Sequence, residues 1–181
     1  MEPLAPISIF EHSYKDHDDV AVAIWQTYNG HMAEQHEIVP IFDALQILDA
    51  KKLVKKKPAP STEIVAVVRK GLPFRSFLIL LKVINVSQKQ LALVLGISDR
   101  TIARRKTEQQ FNPSESDRLY RVARILAQAA STLGSIEKAR EWATRPNRAL
   151  GDETPLALLD TDIGARQVED VLLRIQYGIY S

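Results

Sequence analysis

The chain has 181 residues, 45% of them hydrophobic, and a formal net charge of +2. This length suits one or two small domains with hydrophobic cores of their own. The absence of cysteine excludes disulfides, cysteine-based zinc sites and thiol nucleophiles, and it fits a protein of the reducing cytoplasm. No apolar run reaches transmembrane length and the acidic N-terminus lacks a signal-peptide pattern, so we expect no membrane association.

The charge is distributed unevenly along the chain. Residues 1–50 carry one Lys and nine Asp or Glu, which gives a net charge of −8. Residues 51–106 carry fourteen Lys or Arg and two acidic residues, which gives +12, and residues 107–181 carry −2. A basic middle segment of this kind is typical of a surface that faces a polyanion.

The first sixty residues contain no motif that indicates a function. We treat residues 1–60 as an N-terminal segment of unassigned role that is partly helical. Helical periodicity is confined to residues 18–28 and 41–54, and KKKPAP predicts an extended basic linker over residues 55–60. The apolar side chains of the second helical stretch are Ile41, Phe42, Leu45, Leu48 and Leu53.

Catalytic and cofactor motifs are absent from the sequence. The seven glycines form neither a phosphate loop nor a dinucleotide fingerprint, and no serine lies in a nucleophile elbow. All four histidines lie in the N-terminal segment without the same-face spacing of a zinc pair. We therefore expect no enzyme activity, no metal site and no cofactor. The histidines are His12, His17, His31 and His36.

Residues 61–106 predict a helical core for nucleic-acid binding. Ser61 is placed to cap a helix over residues 62–70, which Gly71 would end. An apolar helix over residues 72–84 follows and should pack behind the next two helices.

The stretch SQKQLALVLGISDRTIARRK, residues 87–106, predicts a helix-turn-helix. Ser87 and Gln90 have the spacing of a capping box at the start of the first helix. Gly96 supplies the turn because glycine takes left-handed backbone angles at no steric cost. Ser98 is placed to cap the second helix. The apolar side chains expected to face the core are Leu91, Val94, Leu95 and Ile97.

The second helix of this motif has the composition of a DNA recognition helix. Arginine can bond both major-groove acceptors of guanine or clamp a phosphate. We expect Arg100 and Thr101 to read bases, and Arg104, Arg105 and Lys106 to grip phosphates. The alternative is an exposed basic helix with no role in DNA binding. The predicted DNA-binding residues are Gln88, Ser98, Asp99, Arg100, Thr101, Arg104, Arg105 and Lys106.

The remainder of the chain predicts four more helices. Asn112 and Pro113 have N-cap and first-turn chemistry and start a long helix, with an alanine-rich apolar stripe, that Gly134 ends. Shorter helices are expected at residues 135–142, from residue 155 and at residues 164–177. Because no segment alternates like a strand, we expect an all-α fold.

Several short motifs follow one another from the recognition helix onward. RTIARR at residues 100–105 is followed by ESDRL at 115–119, PNRALG at 146–151, TPL at 154–156 and RIQYG at 174–178. In this order they resemble the Xre/MbcA/ParS group of bacterial antitoxins, and the resemblance covers roughly residues 61–181.

This resemblance implies a two-part protein. Residues 61–134 would be a Xre-like helix-turn-helix domain that binds operator DNA, and residues 135–181 a small helical domain that binds the cognate toxin. The toxins of this group are RES-domain proteins, which degrade NAD or transfer its ADP-ribose. The implied function is an antitoxin that neutralises such a toxin by direct binding and represses its own operon. The alternative is a stand-alone helix-turn-helix regulator whose C-terminal domain only dimerises.

A homodimer is expected on geometric grounds. One helix-turn-helix reads few base pairs, and two-fold pairing doubles the contact with DNA. The alanine-rich stripe of residues 119–133 and the C-terminal domain are the two candidate dimer surfaces.

The last residues indicate how the toxin would be bound. Arg and Tyr side chains dominate interface hot spots. Ile179 and Tyr180, with the carboxylate of Ser181, would enter the NAD pocket of the toxin and block it sterically. The alternative is that Ile179 and Tyr180 fold back onto the last helix. The predicted toxin-binding residues are Arg166, Arg174, Tyr177, Gly178, Ile179, Tyr180 and Ser181.

Overall fold

One long helix spanning Pro113–Leu133 organises the fold. The computed structural model describes residues 43–53 and 60–179. The α-helices in these residues are α1 (Ala44–Ile47), α2 (Ser61–Lys70), α3 (Phe74–Ile84), α4 (Gln88–Val94), α5 (Asp99–Glu108), α6 (Pro113–Leu133), α7 (Ile136–Thr144) and α8 (Asp162–Gln176). Short 3₁₀ helices cover Lys51–Leu53, Arg148–Leu150 and Ala157–Asp160. The described residues form no strand, only isolated β-bridges, so the predicted all-α class is confirmed.

Helix α6 begins where the sequence predicts. Asn112 Oδ1 accepts a hydrogen bond from Glu115 N at 2.8 Å, and Glu115 Oε2 accepts one from Asn112 N at 3.0 Å, which completes a capping box. Gly134 ends the helix in the left-handed conformation, with φ +87°. Along its length α6 packs against α1, α2, α7 and α8.

The alanine-rich stripe of α6 faces the interior of the molecule. Because alanine side chains are small, neighbouring helices can approach α6 closely along this stripe. The stripe is core, which removes it as a dimer surface. Its buried members are Leu119, Val122, Ala123, Leu126, Ala129 and Ala130.

A single hydrophobic core joins the two halves of the described chain. Phe74, Phe77 and Phe111 form one aromatic cluster with ring centroids 5.7, 5.7 and 5.9 Å apart. Val168 and Leu172 of α8 belong to the same core. The predicted domain boundary at residues 134 and 135 lies within this continuous core and stays a prediction.

The last two predicted helices begin at other residues in the structure. Helix α8 starts at Asp162, two residues before the predicted start, because Thr161 is its N-cap. The short helix expected from residue 155 is the 3₁₀ helix Ala157–Asp160.

Two further helices begin at different residues from those predicted, because a proline occupies the cap position. Ser61 is the first residue of α2 and not its N-cap, because Pro60 occupies the cap position and its carbonyl accepts the first backbone bonds. Pro73 likewise precedes α3, which starts at Phe74 and not at residue 72. Leu72, which precedes Pro73, lies outside the helix, and its carbonyl accepts a hydrogen bond from Phe111 N at 2.9 Å.

The predicted helix over residues 41–54 is interrupted. Helix α1 ends after one turn because Asp49 adopts a left-handed φ of +50° and Ala50 N donates back to Leu45 O at 2.7 Å. Leu53 follows this break and is 45% exposed, so its assignment to the apolar face is wrong.

Some predictions fall on residues that the structure does not describe. They are the helix at residues 18–28, the apolar residues Ile41 and Phe42, the linker at 55–59, the four histidines, and the last two residues of the toxin-binding set, Tyr180 and Ser181.

Within the described ranges, no single helix is long and apolar enough to cross a membrane. Helices α3 and α4 reach the required length only together, and they are bent by 110° at their junction. The apolar faces of both helices contribute to the core described above.

Candidate nucleic-acid and partner interfaces

The helix-turn-helix has the local geometry that the sequence predicts. Gln90 N donates to Ser87 Oγ at 3.2 Å and Ser87 N donates to Gln90 Oε1 at 3.0 Å, which confirms the capping box of α4. Gly96 forms the turn with φ +59°. Ser98 caps α5 by accepting a hydrogen bond from Thr101 N at 3.2 Å, as expected.

The sequence interpretation missed a positioning residue at this turn. Arg118 of α6 donates from Nη1 to the carbonyl of Leu95 at 2.6 Å, at the C-terminal end of α4. A guanidinium there satisfies a free helix carbonyl and complements the negative end of the helix dipole. A Cβ at Gly96 would lie 2.9 Å from the same Nη1 atom, so the turn and Arg118 are fitted to each other.

The outward face of α5 is cationic. Arg100 and Arg104 are exposed and lie one turn apart on the same face. Arg104 Nε lies 3.9 Å from Glu108 Oε1, a weak contact that leaves the guanidinium largely free. Among the described residues neither Arg100 nor the exposed Lys106 has an ion-pair partner. Arg100 and Lys106 can therefore each receive an anion without first losing an internal ion pair.

Small and polar residues complete the predicted set. Gln88, Ser98 and Asp99 are exposed at the starts of α4 and α5. Thr101 is half-buried, and its Oγ1 lies 3.1 Å from Ser98 Oγ, so its hydroxyl is engaged in the cap.

Arg105 differs from its predicted position on the DNA-facing surface. Its side chain is only 11% exposed and makes two hydrogen bonds to Glu115, from Nε to Oε2 at 2.6 Å and from Nη2 to Oε1 at 3.0 Å. Glu108 accepts a further bond from Nη1. The hydrogen bonds to Glu115 raise the pKa of Arg105 further above its ordinary value, so it stays charged. This pair fixes α5 to α6, and Arg105 is not available to grip phosphate.

The outer face of α8 carries exposed apolar side chains, with the exposed charged residues Arg166, Asp170 and Arg174 between them. Ile163 is 74% exposed, Leu173 41% and Tyr177 64%, and their spacing places them on one face of the helix. Ile179 follows directly and is 62% exposed, so it does not fold back onto the last helix. Gly178, with φ +66°, and a hydrogen bond from Ile179 N to Arg174 O at 2.9 Å fix the direction of the chain there.

The two predicted arginines of α8 lie on this same face and differ in their ion pairs. Arg166 is exposed but pairs with Asp162 on its own helix, at 2.9 Å from Nη2 to Oδ2. Arg174 is exposed and has no ion-pair partner in the described part of the chain. Sequence reasoning missed Ile163 and Leu173, although their helical spacing to Tyr177 was a readable signal.

Contacts with the preceding 3₁₀ helix and with α6 fix the position of helix α8. Thr161 Oγ1 caps its start by accepting from Gly164 N at 3.0 Å. A Cβ at Gly164 would lie 2.1 Å from the carbonyl oxygen of Leu158, so only glycine fits at this crossing. Glu169 forms an ion pair with Arg124 of α6.

The described residues contain no cluster of three or more His, Asp or Glu side chains that could hold a metal ion. The two surfaces on α5 and α8 are thus the candidate functional sites of this part of the chain.

Comparison with known proteins assigns the chain to a family. Residues 63–124 match the antitoxin Xre-like helix-turn-helix domain, and residues 128–178 match the antitoxin Xre/MbcA/ParS C-terminal toxin-binding domain. Neither is an enzyme family. The chain is also similar to one chain of the crystal structure of the M. tuberculosis MbcT–MbcA toxin–antitoxin complex, with 20% identity, a TM-score of 0.43, and coverage of 56% of this chain and 90% of that chain.

Two curated relatives are both named antitoxin Xre. The protein from Photorhabdus laumondii subsp. laumondii is 35% identical over 121 residues, which are 64% of this chain and 80% of the relative. The protein from Yersinia enterocolitica serotype O:8 is 32% identical over 99 residues, which are 54% of this chain and 67% of the relative. With both domain models matched over more than half of its length, this chain belongs to the Xre/MbcA/ParS family of antitoxins.

Proposed function

We propose that this antitoxin neutralises a cognate RES-domain toxin, an NAD-consuming protein, by direct binding, and that it represses its own operon through operator DNA. The observation that carries the proposal is the presence of two exposed surfaces of different chemistry, the cationic face of α5 and the face of α8 that presents Ile163, Leu173 and Tyr177. A cationic helix face suits the DNA backbone and guanine edges, and an exposed apolar helix face suits a protein partner.

In the DNA complex, α5 lies in the major groove. Arg100, near the start of the helix, reads a base, and one well-placed bidentate contact discriminates by roughly 1–3 kcal/mol. Arg104 and Lys106 contact phosphates, while Gln88, Ser98 and Asp99 lie at the rim. Thr101 supports the helix cap and adds a base contact through its exposed atoms.

In the toxin complex, Tyr177 and Ile179 are the anchors. An exposed tyrosine and aliphatic side chains bury apolar area on binding, with Arg174 and Arg166 at the polar rim. With its fixed direction after Gly178, the chain extends Ile179 towards the substrate entrance of the toxin, which it blocks sterically. The protein acts as a homodimer, which presents two copies of α5 to a two-fold operator.

Operator binding is tested with the DNA upstream of the operon. Arg100→Ala with Arg104→Ala should weaken operator binding at least about 30-fold and flatten the salt dependence, because a base contact and a phosphate contact are both lost. Lys138→Ala with Arg148→Ala removes two exposed charges outside α5 and is the matched control. Equal affinity of the α5 double variant and the control in filter binding would contradict this part of the proposal.

Neutralisation is tested by growth. Cells that express the adjacent RES-domain toxin should recover growth when this chain is co-expressed, and the α5 double variant should restore growth equally well. A stand-alone regulator would leave the toxin fully active. Failure of the wild-type chain to restore growth, with both proteins present on immunoblots, would favour that alternative.

A further inference from the structure

A groove of about 520 Å³ lies between α4 and the 3₁₀ helix Ala157–Asp160. It belongs to neither the cationic face of α5 nor the outer face of α8 that presents Ile163, Leu173 and Tyr177. Most of its lining is apolar, Gln90 and Thr154 add polar atoms, and two exposed carboxylates lie at its edge. The residues that matter here are Leu93, Val94, Ala157 and Leu158 on the apolar side, and Glu153 and Asp160 on the rim.

Leu93 forms one edge of this groove and is 79% exposed, the most exposed large hydrophobic side chain in the described residues. The core does not need it, because α4 already buries Leu91, Ala92 and Val94 on its inner face. Lys89 lies one turn earlier on the same outer face of α4 and is also exposed. An apolar knob with a cation beside it therefore projects from α4.

The charges around the groove have no partners within the described residues. Neither Glu153 nor Asp160 forms an ion pair there, and Lys89 forms none either. The groove thus offers carboxylates and an apolar floor, and the helix beside it offers a cation and an apolar knob. These are complementary surfaces on one patch of one molecule.

We propose that this patch is the two-fold interface between two copies of the chain. In a two-fold dimer the same patch of each copy meets itself, so a knob and its receiving groove must lie side by side. Leu93 of each copy enters the groove of the other, and Lys89 of each copy pairs with Glu153 or Asp160 across the axis. This inference rests on the proposed homodimer and names its surface.

An interface through α4 affects how a dimer binds DNA. Because α4 adjoins α5 in the helix-turn-helix, pairing through α4 fixes the distance between the two recognition helices. That distance sets the spacing of the half-sites that a dimer can occupy.

Sedimentation velocity of the full chain tests the role of the knob. Leu93→Asp should raise the dimer dissociation constant at least about 100-fold, because both copies carry the change. Leu78→Asp, which alters an exposed leucine on α3, is the matched control and should dimerise like the wild type. Circular dichroism establishes that both variants are folded.

A charge exchange tests the pairing itself. Lys89→Glu alone and Glu153→Lys with Asp160→Lys alone should each weaken dimerisation, because like charges then meet at both contacts. An equimolar mixture of these two variants should form a heterodimer more tightly than either variant self-associates. In the heterodimer one contact has the native charges and the other has both charges reversed, so opposite charges meet at both contacts. Lys82→Glu, on α3, should change nothing.

The outcomes separate two questions, whether the chain forms a homodimer and whether the groove and Leu93 form its interface. A wild-type chain that is monomeric at all concentrations overturns the homodimer and this surface together. A Leu93→Asp variant that dimerises like the wild type, or a mixture no tighter than its components, overturns the surface alone. If Leu93→Asp instead loses toxin binding while remaining dimeric, the toxin occupies the groove and the inference is wrong.

Discussion

At the scale of single residues, the pair Arg105–Glu115 decides what the basic run on α5 does. Arg105 lies about 140° around the helix from Arg100, at 3.6 residues per turn, and so points towards α6. Glu115 serves both the N-cap of α6 and Arg105, and its side chain is 8% exposed. Of the three arginines of α5, Arg105 therefore has a structural role, and Arg100 and Arg104 remain the candidates for DNA contact.

We expect Glu115→Ala to lower the free energy of unfolding by about 3 kcal/mol, because it leaves Arg105 buried without its main partner and removes half of the capping box. The measurement is urea unfolding followed by circular dichroism. Asp162→Ala removes an exposed ion pair with Arg166 and should cost less than about 1 kcal/mol. A Glu115→Ala variant as stable as Asp162→Ala would contradict the assigned role.

The sequence predicts some of this residue-scale detail and not the rest. Capping boxes involve neighbours along the chain, so Ser87–Gln90 and Asn112–Glu115 were readable. The partner of Arg105 lies on another helix, and the role of Arg118 depends on where α4 ends against α6. Such contacts are set by tertiary packing and leave no local signal.

At the scale of elements, α8 is positioned by one close crossing. Helix boundaries were predictable where a cap residue precedes an apolar stripe, as at Ser98, Asn112 and Ser135. They were mispredicted at α2 and α3, where a proline takes the cap position and shifts the start. The sequence does not explain why position 164 is glycine, and the close contact with the 3₁₀ helix before α8 gives the physical reason.

Gly164→Ala should destabilise the chain by about 1–3 kcal/mol, because the added Cβ meets a backbone carbonyl that cannot rotate away. Toxin binding should weaken as α8 shifts, while operator binding persists. Thermal unfolding and pull-down with the toxin measure the two effects, and Lys138→Ala, which alters an exposed residue of α7, is the control. Wild-type stability of Gly164→Ala would show that α8 tolerates displacement and would contradict this account.

At the scale of the whole molecule, α6 joins the two surfaces. Its N-terminal half holds α5 through Glu115, and its C-terminal half holds α8 through the pair Arg124–Glu169. The sequence predicted the all-α class, the helix-turn-helix and the family, because periodicity, caps and ordered motifs are local. It did not predict that one continuous core carries both surfaces, which depends on contacts between distant segments.

NAD consumption by the purified RES-domain toxin is the direct test of whether one chain inhibits a toxin through α8 and binds DNA through α5. Titration with the wild-type chain, or with Arg100→Ala and Arg104→Ala, should abolish NAD consumption near equimolar ratio. Tyr177→Asp with Ile179→Asp should need at least about 30-fold more protein, because both apolar anchors are lost, and should bind the operator normally. No inhibition by the wild-type chain, or full inhibition by the α8 variant, would contradict the account.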